Sequence, residues 1–540
     1  MGTNSARHEL TDSIRQLPPG SVATKATNPH QWLELTVGVR RAKALPDLSS
    51  LDDVVPSKRK YMNRDDLRDK YGSDPSAIKK IEAFAKAHDL TVTKNDPVAA
   101  RLGLAGTVEN LSTAFGVRLL DYSQPELGMF HARTGPVSVP ADLADAVTGV
   151  FGFNNHRILR RKKRFLDTKA AASTSASRAW FMPQELGAIY NFPKADASKQ
   201  CVGLLEFGGG VEDADVTAYF AKINLPAPTV KVVTLDGASG SAASDPDSTG
   251  EVMLDVEVAG ALAGGAKIAV YFSTFDEKGL VDCVGAVTSD SENDPSVVSI
   301  SWGWDENQPM NGRVLWSAAA MTHVNESFLA LAHLGVTVCV STGDDGSEAQ
   351  VKDGHAHVNF PATSPYVLAV GGTTLHARKS ALGHQTLTEV VWNSGPGDGT
   401  GGGVSDVTPV PVWQKKVAPH SVNAGHFAGR AIPDVAANAD PATGYFVRNG
   451  GQFGIVGGTS AAAPLWASLI ARINANLKAR VGNFNALLYS KIGPGEVLRD
   501  ITKGNNDTDG LLEGQFAAKA GWDPCTGWGV PDGAKLLAAL

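Results

Sequence analysis

The chain reads as an α/β protein: a mostly parallel sheet flanked by helices, preceded by a smaller α+β unit. Three observations carry that reading. Cys201-Val202-Gly203-Leu204-Leu205, Ser296-Val297-Val298-Ser299-Ile300-Ser301 and Gly335-Val336-Thr337-Val338-Cys339-Val340-Ser341-Thr342 are short, continuously apolar runs, as strands buried on both faces require. They alternate with helix-like stretches such as Val252–Leu262. Thirdly, the first 164 residues hold 25 Lys+Arg against 18 Asp+Glu (net +7). The remainder holds 24 against 38 (net −14), so the chain divides by charge. At 540 residues it exceeds one ordinary domain.

In chain order, Trp32–Val39 alternates as a strand, and Asp74 to His88 reads as a capped amphipathic helix. A strand near Ala99–Ala105, a short helix near Val108–Phe115 and another strand complete a small unit of ferredoxin-like character. Arg157, Arg160, Arg161, Lys162, Lys163 and Arg164 then place six basic residues in eight positions. Leu166 to Arg178, rich in Ala, Ser and Thr, has the composition of a flexible linker. The basic cluster has no recognition fold beside it, so a nucleic-acid patch is not predicted.

In the second part, Glu206, Trp302 and Asp344 each follow a predicted strand. In an open parallel sheet such positions converge on one crevice. Glu251 and Asp255 stand four apart in an otherwise apolar helix and share one face. Two like charges there are unfavourable unless one is protonated, an arrangement that suits a shared proton. Gly457-Gly458-Thr459-Ser460-Ala461-Ala462-Ala463-Pro464 opens an apolar helix. Ser460 would either cap that helix or act as a nucleophile whose oxyanion faces the helix N–H groups. No histidine sits in a His-Gly-Thr segment opening a helix, and His355 and His357, in a polar loop, read as surface residues.

Other classes are excluded. Cys201, Cys283, Cys339 and Cys525 lie far apart with no Cys-x-x-Cys, and Cys339 reads as a buried thiol. The apolar stretch Val258–Phe272 is interrupted by Gly264, Gly265 and Lys267, so nothing spans a membrane. Gly401-Gly402-Gly403 lacks a following Gly-Lys-Ser/Thr; it is read as lining the cleft rather than binding phosphate.

The segments Gly250-Glu251-Val252-Met253-Leu254-Asp255, Ser299-Ile300-Ser301-Trp302-Gly303, Ser341-Thr342-Gly343-Asp344 and Gly457–Pro464 resemble those of the sedolisins, the serine-carboxyl peptidases, in their kumamolisin-like branch. The resemblance spans nearly the whole chain. It implies a subtilisin-like fold, Ser460 as nucleophile, Glu251 as general base, Asp255 as its orienting partner and Asp344 as oxyanion-hole residue. Glu206 and Trp302 extend the network. It further implies an acid-active endopeptidase acting on proteins and peptides. The enzyme would be made as a self-processing zymogen: residues 1–165 an inhibitory prosegment, 166–178 a linker with the processing site, 179–540 the peptidase. One structural Ca²⁺ is implied, held by the side chains of Asp500 and Asp523 and the carbonyls of Ile501, Lys519 and Gly521. An EF-hand is ruled out, because Thr502, Gly504 and Leu511 occupy its ligand positions. A secreted monomer is implied, although Met1 to Gly20 is polar with no apolar signal core. Two other readings are a His-dependent serine hydrolase, active near neutral to alkaline pH, and an inactive binding protein on the same scaffold.

Overall fold

The protein is described by a computed structural model from residue 6 to residue 540, apart from residues 53, 162–163, 167–178, 308–313, 350, 352, 380–384, 418 and 515. Its N-terminal unit is a four-stranded antiparallel sheet of Trp32–Val39 (β1), Thr91–Asp96 (β2), Arg101–Thr107 (β3) and Val147–Phe151 (β4), in the order β2-β3-β1-β4. Pro75–Ala87 (α1) starts where the Asp74 side chain accepts the Ser76 N–H at 2.8 Å, with proline in the first turn, where no amide is needed. Val108–Phe115 (α2) is capped by Thr107 and ends at left-handed Gly116. Leu35, Val37, Leu102 and Leu104 from the strands meet Ile81, Phe84, Leu111 and Phe115 from the helices. Each such side chain contributes roughly 1.5–3 kcal/mol on burial. The strands and helices read from the sequence are present, and the structure adds β2 and the helix Arg64–Tyr71, which that reading lacks.

Past β4 come two short strands, Arg160–Arg161 (β5) and Arg164–Leu166 (β6). The expected linker from 167 to 178 lies outside the described residues. The C-terminal unit contributes Cys201–Phe207 (β7), Val230–Thr234 (β8), Pro246–Leu262 (α3), Lys267–Ser273 (β9), Glu277–Ser289 (α4), Val297–Ile300 (β10), Trp302–Asp305 (β11) and Ala318–His333 (α5). It continues with Thr337–Ser341 (β12), Leu368–Lys379 (β13), Gln385–Val391 (β14), Val435–Asn438 (β15), Tyr445–Asn449 (β16), Gln452–Gly457 (β17) and Thr459–Leu477 (α6).

An eight-stranded sheet runs β8-β9-β7-β10-β12-β13-β14, with β15 also on β13. All its pairings are parallel except β13 with β14. Helices α3 and α6 cover one face and α4 and α5 the other, which is why β7, β10 and β12 are apolar on both sides. Among the described residues no helix is long and apolar enough to cross a membrane.

The N-terminal unit docks on α4 and α5 through buried charge. Arg101, 2 % exposed, donates to Asp282 at 2.7 Å and pairs with Asp96 at 3.1 Å. The Thr36 hydroxyl donates to the same Asp282 at 2.7 Å, and Lys278 reaches both Asp282 and Asp236. Burial favours a neutral Asp282, but Lys278 and Arg101 outweigh it and hold the carboxyl below its ordinary range. Beside this network the ring of His323 lies under β1 and against Phe151, so close that any side chain at Gly38 would strike it.

Burial, reinforced by Arg41 and Arg101, lowers His323 to about 4, with Asp282 opposing. Undocking removes the two guanidiniums and part of the burial, so the freed ring moves towards its ordinary value near 6.5 and binds a proton more readily. Its contribution to docking is greatest above pH 6.5, is lost as pH falls towards 4, and amounts to no more than about 3 kcal/mol. Asp236 runs the other way, raised to about 7 by burial and Asp282, so His323 must be isolated by substitution. On a Ser460→Ala background, hydrogen exchange in β1 and β4 should rise more steeply between pH 6.5 and 4 with His323 than with His323→Gln. Identical pH profiles would show that the ring takes no part.

Candidate active site

Ser460 sits where β17 turns into α6. Gly458 makes the turn at φ +123, a conformation that disfavours any side chain, and donates its N–H to the Ala439 carbonyl at 2.6 Å. The first amides of α6 have no acceptors within the helix, so this turn favours negative charge. Pro464, four residues on, lacks the N–H that would bond the Ser460 carbonyl. That carbonyl instead accepts from the Ser301 hydroxyl at 3.2 Å.

Ser301 also joins Ser460 to the acids of α3. That helix begins with Asp245 capping Ser248 N–H at 3.0 Å and Pro246 in its first turn. Gly209, after β7, packs so tightly on the Thr249 amide that a Cβ there would lie 2.5 Å from it. Glu251 and Asp255 are both 0 % exposed, one helical turn apart. The solvated alternative for this pair therefore fails. Ser301 Oγ lies 2.6 Å from Asp255 Oδ2. The hydroxyl has one proton and two acceptors. It lies within reach of Asp255 Oδ2 and of the Ser460 carbonyl at once, and so bridges α3 to α6. Behind them Trp302 Nε1 donates to Glu206 Oε2 at 2.9 Å, both side chains fully buried.

Asp344 lies on the other side of the turn. Thr459 donates to its Oδ1 with both amide (2.8 Å) and hydroxyl (2.7 Å). The glycine run does not line a cleft as expected. It is buried, with Gly401 N–H on the Gly343 carbonyl at 2.7 Å and Thr342 Oγ1 on the Gly401 carbonyl at 2.7 Å, bracing the loop that holds Asp344.

Sequence reasoning passed over Ser301, Thr459 and Glu257. Glu257, on α3 and fully buried, accepts the Arg448 N–H at 2.8 Å, while Arg448 pairs with Asp215 at 2.7 Å. Burial raises its carboxyl well above the ordinary range. It anchors the β16–β17 hairpin that leads to Ser460. Its partner is 191 residues away, so no local pattern marks it.

The described parts of the basic segment border this site on both sides. β5 pairs antiparallel with β11 (Arg160 opposite Gly303, Arg161 opposite Trp302) and β6 with β17 (Arg164 opposite Gly457). The two strands flank Ser460, three residues beyond Gly457 on one side and bonded to Ser301, next to Trp302, on the other. The described buried histidines are engaged elsewhere. His333 contacts the Pro46 carbonyl, His156 contacts Arg15, and His357 contacts Asp353 at 2.8 Å. His357 is thus buried rather than a surface residue, because the loop folds Asp353 over it.

Around the expected metal site, Gly521 N–H donates to Asp500 Oδ2 at 2.8 Å and Lys519 N–H to Asp523 Oδ2 at 3.2 Å. Asp523 is fully buried, and no group of three or more His, Cys, Asp or Glu able to hold a metal occurs among the described residues. Two carboxylates converging on residues 519–521 fit a hard cation completed by backbone carbonyls and water.

Residues 19–156 match the pro-kumamolisin activation domain and residues 238–516 the subtilase family. Kumamolisin of Bacillus sp. (strain MN-32) is 40% identical over 99% of this chain and 96% of its own length. Sedolisin of Pseudomonas sp. (strain 101) is 29% identical over 89% and 82%, and human tripeptidyl-peptidase 1 27% over 98% and 95%. The solved Pseudomonas sedolisin, complexed with two molecules of pseudo-iodotyrostatin, is 30% identical with a TM-score of 0.58, covering 66% of this chain and 97% of that one.

Removing the Ser301 hydroxyl leaves buried polar atoms on both helices, which costs about 1–3 kcal/mol. Denaturant unfolding of Ser301→Ala should show that loss; an unchanged midpoint would mean that the hydroxyl does not join α3 to α6.

Proposed function

Because this chain belongs to the sedolisin family of serine-carboxyl peptidases, we propose that it is an acid-active endopeptidase using Ser460, Glu251 and Asp255, made as a self-processing zymogen. That it is a serine-type peptidase with an N-terminal activation segment follows from the family. The finer assignment rests on one observation, the hydrogen-bonded path from Asp255 through Ser301 to the helix turn bearing Ser460.

The chemistry follows from the residues. A carboxylate is a weak base for a serine hydroxyl, but in a dry site beside a second carboxyl its proton affinity rises. Glu251 takes the Ser460 proton as Oγ attacks the peptide carbonyl, and Asp255, sharing a proton, orients Glu251 and offsets its charge. The oxyanion receives hydrogen bonds from the Ser460 amide and from protonated Asp344. On collapse Glu251 returns the proton to the departing amine, leaving an acyl-enzyme that water resolves by the reverse sequence. Because Asp344 donates only when neutral, activity belongs to acid pH. Glu206 and Trp302 steady the acids from behind.

In the zymogen, β5 and β6 lie in the cleft as an inhibitory strand, and opposite net charges favour docking of the two units near neutral pH. We take 1–165 as prosegment, 166–178 as the stretch removed in processing, and 179–540 as peptidase. The start of that peptidase is supported by Phe181, which exchanges hydrogen bonds with Gly444 and Phe446, and by Trp180, stacked on Phe446 at 5.1 Å. Substrates are proteins and peptides. Neither nucleic acid nor membrane is a partner, and the processed enzyme works as a secreted monomer. Asp500, Asp523 and the carbonyls of Ile501, Lys519 and Gly521 would hold one Ca²⁺, which ties the C-terminal loops and takes no part in the reaction.

Glu251→Gln and Asp344→Asn should each lower kcat about 10²–10³-fold without altering the circular dichroism spectrum, and Ser460→Ala should stay uncut after acidification. Near-normal turnover in either amide variant, or cleavage without Ser460, would refute the roles. Chelation should lower the melting temperature of the processed enzyme, and added Ca²⁺ should restore it; a melting curve indifferent to both would remove the ion.

A further inference from the structure

The basic run preceding the linker is more than a charged tether. β5 is antiparallel to β11, the way an extended peptide adds to an exposed strand edge, so its residues occupy the places of a substrate's residues. This argument rests on the peptidase reading above. Arg160 stands opposite Gly303, and its guanidinium carbon lies 3.6 Å from the centre of the Trp304 ring. That is a close cation–π contact on a half-buried site, where the desolvated cation gains most. The ring is held rigidly, because β11 also pairs with Asn359–Phe360, placing Trp304 opposite Phe360.

Charge around the ring has the matching sign. Burial lowers the Arg160 guanidinium, while Asp305, Glu126 and Asp345 raise it. Glu126 belongs to the N-terminal unit and departs with it. Asp305, on β11 itself, and Asp345, next to Asp344, remain in the peptidase. The seat for a cation thus outlasts the segment that fills it here.

We propose that Trp304, supported by Asp305 and Asp345, is a specificity-determining subsite for an arginine side chain on the N-terminal side of the cleaved bond. β5 ends at residue 161, opposite Trp302, and β6 begins at residue 164, opposite Gly457, so the two pairings bracket the turn that bears Ser460. A bond cut between residues 161 and 164, a first cut ahead of trimming within 166–178, leaves Arg160 as the second to fourth residue before it. Preferred substrates are therefore peptides with arginine at that place.

The test uses the acid-processed enzyme and fluorescence-quenched peptides copying residues 156–168, with Arg160 kept or replaced by citrulline, its neutral near-isostere. With Trp304 present, citrulline should lower kcat/KM about 2- to 30-fold, the range of a cation–π contact. In Trp304→Leu the ratio should fall close to one, and in Trp304→Phe it should stay intermediate. Mass spectrometry of the products should place Arg160 two to four residues before the cut. Equal cleavage of both peptides by the wild type overturns the subsite, as does a preference undiminished in Trp304→Leu or a cut elsewhere. If Trp304→Leu does not fold, the wild-type and Trp304→Phe ratios decide. A wild type that digests neither these peptides nor denatured casein at any pH refutes instead the peptidase reading, and the subsite with it.

Discussion

Burying several carboxyls along one helix is the constraint around which the C-terminal unit is built. Glu251, Asp255 and Glu257 are all withdrawn from water on α3. An isolated buried carboxylate is costly, so each must be protonated, hydrogen-bonded or both. The surroundings meet that need with neutral donors: Ser301 for Asp255 and the Arg448 amide for Glu257. The donors come from a strand end and from the hairpin ahead of α6. Satisfying the acids therefore also positions the serine turn.

Neutral donors have a consequence that a salt bridge would not. A nearby cation would stabilise the carboxylate and lower its proton affinity, whereas a hydroxyl can accept from a carboxyl or donate to a carboxylate. Ser301 is bonded to both Asp255 and the Ser460 carbonyl, and Pro464 opens that carbonyl to it by lacking an amide. The N-terminal unit contrasts with this. Its contact with α4 and α5 is built from full charges, Arg101, Lys278, Asp96 and Asp282, with His323 packed beside them. The interior of the site tolerates protons; the docking face responds to them.

Much of this was legible in the residues. The strands at 201, 297 and 337 announce themselves by apolar runs that only a sheet covered on both faces explains. Glu251 and Asp255 stand out because acids at helical spacing amid Val, Met and Leu contradict the helix's own burial. The Gly-Thr-Ser turn stands out because glycine there permits a backbone that other residues resist. Misreadings arose where the folding of a loop decides burial: His357 sits beneath Asp353, four residues before it, and Gly401 braces Thr342 and Gly343 instead of facing a cleft.

By itself, then, the order of residues determined the two units, the strand and helix types, the family, and the acidic helix paired with a serine turn, since these depend on periodicity and local backbone freedom. Only the tertiary structure decided which donors complete them. Ser301 meets Asp255 across 46 residues and Ser460 across 159, and Thr459 meets Asp344 across 115. A serine or threonine carries no local mark of such a partner, because a hydrogen bond depends on where folding brings two atoms and not on their spacing along the chain. The same holds for Arg160 and Trp304, an unremarkable pair in sequence until two strand edges meet.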